Sequence, residues 1–303
     1  MIVVDLFAGC GGLSLGFQNA GFQVTSAFEY WDIAAKCYAL NFNHPVIKTD
    51  LSDVENAIGV IADYSPDIII GGPPCQDFSH AGKRIEAGRA HLTECYAEII
   101  RSIKPKAFVM ENVARAASTN TYARAREILS ADYGLTEIVL DASFCGVPQK
   151  RKRFFCIGIL GEKDGAIKPY IEKRLSTNRT TVKDYLGNSL GIEYYYYHPR
   201  NYNRRAIFSI NEPAPTMRGQ NRPVSKGYKG NRNDPCPMNS SIRTLTTEER
   251  ALIQTFPSDY KWCGTKTEKE QMIGNAVPVK LAEFVGKALK EYLEDSLQQS
   301  SGV

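Results

Sequence analysis

IVVDLFAGCGGLSLGF, residues 2–17, is the stretch on which the fold reading turns. An apolar run of strand character (2–7) stops at a glycine-rich turn, DLFAGCGG (5–12). Apolar residues then recur at Leu13, Leu15 and Phe17 in the manner of a helix. Glycines at such a turn let main chain approach a ligand closely, at the carboxyl end of the first strand of an open α/β sheet. Gly9, Gly11 and Gly12 do not make the GxGxxG spacing of a nicotinamide site. Alone, the stretch also reads as a plain strand-to-helix turn.

Working outward, further strands are expected at 24–29, 46–48, 67–70, 107–111, 136–140 and 154–159. Between them lie helical stretches such as Leu92, Tyr96, Ile99, Ile100 and Ile103, closed by Pro105. This alternation predicts a doubly wound, Rossmann-like α/β domain. After about Leu186 the pattern turns into a tyrosine run (194–197) with scattered Pro, Gly, Arg and Asn, which predicts a smaller, loop-rich module. Regularity returns at 246–255 and in a C-terminal helix (277–293) whose Val277, Leu281, Phe284, Val285 and Leu289 share one face. That helix is expected to pack back on the first domain. The expected division is 1–186 plus 272–303 against 187–271.

The 303 residues are enough for two lobes, and 43% hydrophobic with 23% charged residues is a globular balance. No apolar run spans a bilayer and no signal-peptide pattern opens the chain, so a cytoplasmic protein is expected. The eight cysteines lack CxxC pairs, so neither a metal site nor a disulfide framework is expected. Net charge is only +4, but residues 193–243 carry nine cations against three acids, leaving the remainder slightly acidic.

Several acids and one thiol stand at strand ends. Glu29 could accept from both ribose hydroxyls of a nucleoside, Tyr30 and Trp31 offer flat surfaces for adenine, and Asp50 could accept from its amino group. GGPPCQDFS (71–79) places Cys75 beyond an apolar strand and two stiffening prolines, where a thiol can be exposed and oriented as a nucleophile. Most free cysteines are instead buried and structural. Glu111 of ENV (111–113) could hold a proton at a base nitrogen while accepting from its exocyclic amine. Gln149, Arg151 and Arg153 alternate, so they share a strand face.

The ordered series DLFAGCGG, GPPCQ with FS, ENV, QxRxR, RTLTxxE and GNAVP closely resembles the DNA cytosine-5 methyltransferases of the bacterial restriction-modification type, over nearly the whole chain. The resemblance implies S-adenosylmethionine as cofactor and methyl transfer to carbon 5 of a cytosine flipped out of duplex DNA. Cys75 is then the nucleophile at carbon 6, Glu111 the contact to N3 and the 4-amino group, Arg153 the ligand of O2, and Arg151 a neighbour of the nucleophile loop. For the cofactor it implies Phe7, Gly9, Cys10, Gly11, Gly12, Glu29, Tyr30, Asp50, Leu51, Pro74, Leu92 and Asn275. For DNA it implies Gln76, Ser79, Lys83, Arg84 and Thr216, with Arg218 and Arg222 as candidate base readers. The loop after Cys75 departs from the family pattern at Ala81, Ala87 and Ala90. A monomer is expected, with a cognate restriction endonuclease as a candidate functional partner. Three alternatives remain: a transfer-RNA methylase, whose Cys-Phe-Thr signature is absent, a non-catalytic DNA-binding relative, and a nicotinamide oxidoreductase.

Overall fold

The computed structural model describes residues 1–74, 91–201 and 203–301. Each of the seven strands expected in the first half forms: β1 (Ile2–Leu6), β2 (Gln23–Phe28), β3 (Val46–Ile47), β4 (Ile68–Gly71), β5 (Ala107–Val113), β6 (Tyr133–Asp141) and β7 (Lys152–Leu160). They make one sheet in the order β3-β2-β1-β4-β5-β7-β6. All pairings are parallel except the two made by β7. β5 runs past the expected Glu111 because Asn112 and Val113 pair with Phe154 and Arg153 of β7.

Alternation within the strands separates two cores. Val3, Ile68, Ile70 and Val109 join one core, while Val4, Leu6, Ile69, Phe108 and Met110 join the other. Strands buried on both faces read as continuous apolar runs, which is why IVV and III stand out in the sequence. α1 (Gly12–Asn19) covers the first face with α10 (Val279–Ser301). The C-terminal helix therefore packs back on the N-terminal strands, as expected. Gly16 makes this possible, since a Cβ there would lie 2.3 Å from the Ala282 Cβ. α10 starts two residues later than the apolar pattern suggests, because a residue before proline avoids helical dihedrals and Val277 precedes Pro278. The other face carries α3 (Val54–Ala62), α4 (Leu92–Ile103) and α5 (Asn120–Leu129).

The segment after Leu186 contains more regular structure than its composition suggested. The tyrosine run supplies β8 (Tyr194–Tyr196), paired antiparallel with β9 (Ile207–Ser209). Two small apolar clusters, one around Tyr195, Ile210 and Leu245 and one around Tyr196, Ile207 and Tyr228, hold this region. RTLTxxE proves to be a helix start. Thr246 caps α8 (Thr247–Ile253) in a capping box with Glu249, and Glu249 also pairs with Arg243 at 2.6 Å. α9 (Lys266–Asn275) runs across position 271, where a boundary was expected.

Candidate active site

The sheet order reverses between β1 and β4, and in open α/β sheets ligands sit at the carboxyl ends of such a pair. Register puts Leu6 beside Gly71 and Gly71 beside Met110. The chain continuing from each strand therefore brings the glycine turn, the GPP segment and Glu111 to one rim. Three well-separated motifs thus meet there, and in sequence Cys75 follows directly on Pro74. Cys75, Gln76, Ser79, Lys83 and Arg84 lie outside the described residues.

At the β1 end, Phe7 holds φ of +58°, a conformation a bulky side chain adopts only when its surroundings impose it. Gly12 is required by close approach. A Cβ there would stand 2.3 Å from the Val277 carbonyl, so the GNAVP segment rests directly on the glycine turn. This brings Asn275, exposed at the end of α9, to the same rim. The Cys10 thiol turns away from it, toward the Met272 carbonyl at 3.8 Å, and burial pushes its pKa up.

Glu29 follows β2 and precedes α2 (Asp32–Ala39). Its two oxygens accept the amides of Gly9 and Trp31, each at 2.7 Å. Each oxygen keeps a second lone pair, so hydroxyls can still be accepted. Burial raises the Glu29 pKa, and the amides of Trp31 and Gly9 oppose the rise. The Tyr30 ring is 62% exposed and offers a flat face. Asp50 is exposed; its Oδ1 accepts from the Ser52 amide and hydroxyl, which lowers its pKa, and Oδ2 has no hydrogen-bond partner among the described residues. Leu51 is buried, whereas Pro74 and Leu92 are half-buried.

Beneath the turn lies an acid that sequence reasoning passed over. Asp5 is fully buried, and its Oδ2 accepts from Ser14 Oγ at 2.6 Å. Tyr38 donates to Ser14 Oγ at 2.7 Å and lies 2.6 Å from His44 Nε2. Burial raises the Asp5 pKa to about 7.

At the β5 end, Glu111 Oε1 pairs with Arg153 Nε at 2.7 Å, both side chains nearly buried. Burial raises the Glu111 pKa, with Arg153 and Arg151 opposing, and burial likewise lowers that of Arg153. A Cβ on Gly72 would lie 3.2 Å from Glu111 Oε2, so the carboxylate faces the GPP segment. Asn112 donates to the Pro73 carbonyl at 3.0 Å and fixes that segment against β5. A buried ion pair beside a pinned, proline-stiffened turn is suited to hold a flat ring edge bearing both donors and acceptors.

Gln149, Arg151 and Arg153 do share the inward face, with Lys150 and Lys152 exposed between them. Their partners differ. Arg151, 1% exposed, donates to the carbonyls of Met217, Gly274 and Ala276 at 2.9, 2.7 and 3.2 Å. Burial and neighbouring Arg153 lower its pKa. Gln149 accepts the Met217 amide at 2.8 Å and donates to Gln254 at 2.7 Å, and Gln254 donates to the Ala276 carbonyl at 3.2 Å. Arg250, ion-paired with Glu270, donates to the Arg218 carbonyl. A buried polar network thus fixes the loop at 214–219 and the 274–276 turn against β7. Gln254, Arg250 and Glu270 had no role from sequence; the only hint was that RTLTxxE opens the helix that carries Arg250 and ends at Gln254.

Thr216 donates to the Lys150 carbonyl at 2.7 Å. Arg218 is tied inward, with Nε 2.7 Å from the Tyr197 hydroxyl, its guanidinium 4.6 Å from the Tyr197 ring centroid, and a bond to the His198 carbonyl. Arg222 is exposed and touches only Gln220 Oε1, at 3.2 Å, among the described residues. Arg200, Arg204, Lys226, Lys229 and Arg232 are also exposed, with no ion pair among the described residues. No group of metal-ligating side chains occurs among the described residues, and no described helix is long and apolar enough to cross a membrane.

A sequence-family model described as C-5 cytosine-specific DNA methylase matches residues 1–291. Type II methyltransferase M.HindV of Haemophilus influenzae is 52% identical over 301 residues, covering 98% of this chain and 99% of that protein. Type II methyltransferase M.HgiDI of Herpetosiphon aurantiacus is 50% identical, covering 99% and 97%. Among solved structures, the Dnmt2 methyltransferase of S. pombe superposes with a TM-score of 0.70 at 16% identity, covering 97% of this chain and 98% of that one, a likeness of fold.

Proposed function

The chain belongs to the C-5 cytosine-specific DNA methylase family and is a DNA cytosine methyltransferase, and on that premise we propose how its residues divide the work. The cofactor is S-adenosylmethionine, which supplies a methyl carbon made electrophilic by its sulfonium. The residues at the rim suit it. Glu29 accepts the ribose hydroxyls, Tyr30 lies against adenine and Asp50 Oδ2 accepts the adenine amine. The glycine turn, Phe7 and Asn275 surround the methionine end, lined further by Leu51, Pro74 and Leu92.

The observation that carries the reading is the Glu111–Arg153 pair facing the pinned GPP segment, one residue short of Cys75. Cys75 adds to carbon 6 of a cytosine flipped out of the duplex, which turns carbon 5 into a nucleophile. Glu111, whose buried carboxyl favours protonation, holds the N3 edge while Arg153 binds O2, so charge entering the ring is offset where it develops. Loss of the carbon-5 proton expels Cys75. Arg151 acts at a remove, keeping the recognition loop and the Asn275 turn in place. Residues 187–271 select the DNA sequence, with Arg222 and neighbouring exposed cations on the duplex and Arg218 bracing the loop. The two Type II relatives support a role in restriction-modification, beside a cognate endonuclease.

The test is to incubate the full chain with labelled S-adenosylmethionine, unmodified genomic DNA and transfer RNA together, locate the label, then sequence the DNA after bisulfite conversion. Protected cytosines in one short recurring context are expected. Label that appears only in transfer RNA, or on adenine, would overturn the assignment.

A further inference from the structure

Two thiols remote from the chemistry face each other across the seam between α2 and the segment that leads into α9. Ile33, Cys37 and Asn41 recur at helical spacing on one side of α2 and its C-terminal extension. Residues 261–264 lie along that side. Asn41 clamps Lys261 at both its amide (2.8 Å) and its carbonyl (2.9 Å). A Cβ on Gly264 would lie 2.8 Å from the Ile33 side chain, so the strap is seated closely at its other end. Between those two anchors the sulfurs are bound reciprocally. Cys37 Sγ donates to the Lys261 carbonyl at 3.4 Å, and Cys263 Sγ donates to the Ile33 carbonyl at 3.7 Å. Each thiol thus bonds a carbonyl of the other's segment, which sets both sulfurs on one seam. Cys37 is buried, its pKa pushed up to about 12 by that burial, whereas Cys263 is half-exposed.

We infer that Cys37 and Cys263 form a redox site, an oxidisable dithiol whose disulfide staples α2 to the strap. Nothing in the methyl-transfer chemistry requires it. Hydrogen peroxide is the oxidant. The accessible Cys263, as thiolate, attacks one peroxide oxygen, the O–O bond breaks, and Cys263 becomes a sulfenic acid with release of water after proton uptake. Cys37 sulfur then attacks the Cys263 sulfur and expels a second water. Two thiols and one peroxide give one disulfide and two waters, and the two electrons lost by sulfur reduce the peroxide. The staple joins positions far apart in the chain and links the helix that follows Glu29 to the strap that leads toward Asn275. It should therefore restrain the unfolded chain and stiffen both sides of that rim.

The full-length protein is treated with hydrogen peroxide, digested without reduction and mapped by mass spectrometry, and its thermal midpoint is followed before and after dithiothreitol. A Cys37–Cys263 linked peptide is expected, with a midpoint rise of roughly 5–10 °C that dithiothreitol reverses. Cys263→Ser should abolish both, while its methyl transfer before oxidation stays at the wild-type level. Recovery of Cys263 as sulfinic or sulfonic acid with Cys37 still a free thiol would overturn the proposal. So would a reversible midpoint rise that persists in Cys263→Ser.

Discussion

The sheet rim and the 187–271 segment both carry charged side chains, but they fix them by different means. At the rim the backbone decides. Register alone aligns Leu6, Gly71 and Met110, so the residues that follow must meet. In the 187–271 segment other side chains decide. Arg205 and Arg243 are paired with Glu212 and Glu249, and Arg218 is held by Tyr197 and His198, while Arg222 projects outward. Backbone-fixed positions can be read from motif order; positions fixed by partners cannot, because the partners are scattered along the chain.

Single substitutions should separate rim chemistry from rim stability. Glu111→Gln should lower labelled-methyl transfer by roughly 10²–10⁴-fold while the chain still folds and binds cofactor. Arg151→Met should do the reverse of a pure rim substitution. It strips donors from three carbonyls, two of them in fully buried hydrogen bonds, and should lower stability by about 3–5 kcal/mol in denaturant titration. A stable Arg151→Met protein with lost turnover would place Arg151 in the chemistry rather than beside it.

Asp5 sharpens the rim side through pH. Its pKa rises from 3.8 unfolded to about 7 folded, so between those values the folded chain binds the extra proton and stability falls as pH rises. Asp5→Asn imitates the protonated acid. Its stability advantage over wild type should be absent below about pH 4, grow up to about pH 7 and stay level above, reaching on the order of 1–3 kcal/mol. A difference that shrinks with rising pH would contradict the burial argument.

The smallest effects divide Arg218 from Arg222. Arg218→Ala should lower stability by about 1–2 kcal/mol through lost stacking and hydrogen bonds. Arg222→Ala should change stability by under about 0.5 kcal/mol, yet weaken DNA binding and reduce its salt dependence if the contact is to phosphate, or cost about 1–3 kcal/mol at one base if it reads an edge. Interchanged results would mean that Arg218 swings out on DNA.

The sheet, the meeting of its motif turns at one rim and the returning C-terminal helix were legible because alternation, glycine turns and strand-end acids are local signals. Gly12 shows the limit even there. Its spacing marks a turn, but the need for glycine comes from Val277, far along the chain. QxRxR marked a shared face correctly and still hid that Arg151 and Arg153 serve different partners, since identical residues at equal spacing differ only in what packs above them. The tyrosine run did not announce a strand, because β8 gains its partner only from β9 beyond a polar loop. Asp5 was passed over for a similar reason. Its burial is set by Ser14, Tyr38 and the helix above it rather than by its neighbours in DLF.

The proposed mechanism requires Cys75, which follows the GPP segment in sequence, to bond to the target base during transfer. A duplex with 5-fluorocytosine at the target position tests it, because fluorine fits where hydrogen was but cannot leave as a cation, so release is blocked after methylation. An irreversible protein–DNA adduct is expected that forms only with S-adenosylmethionine and maps to Cys75 alone among the eight cysteines. No cofactor-dependent adduct on a verified target, or an adduct on Cys10 or Cys145, would contradict it.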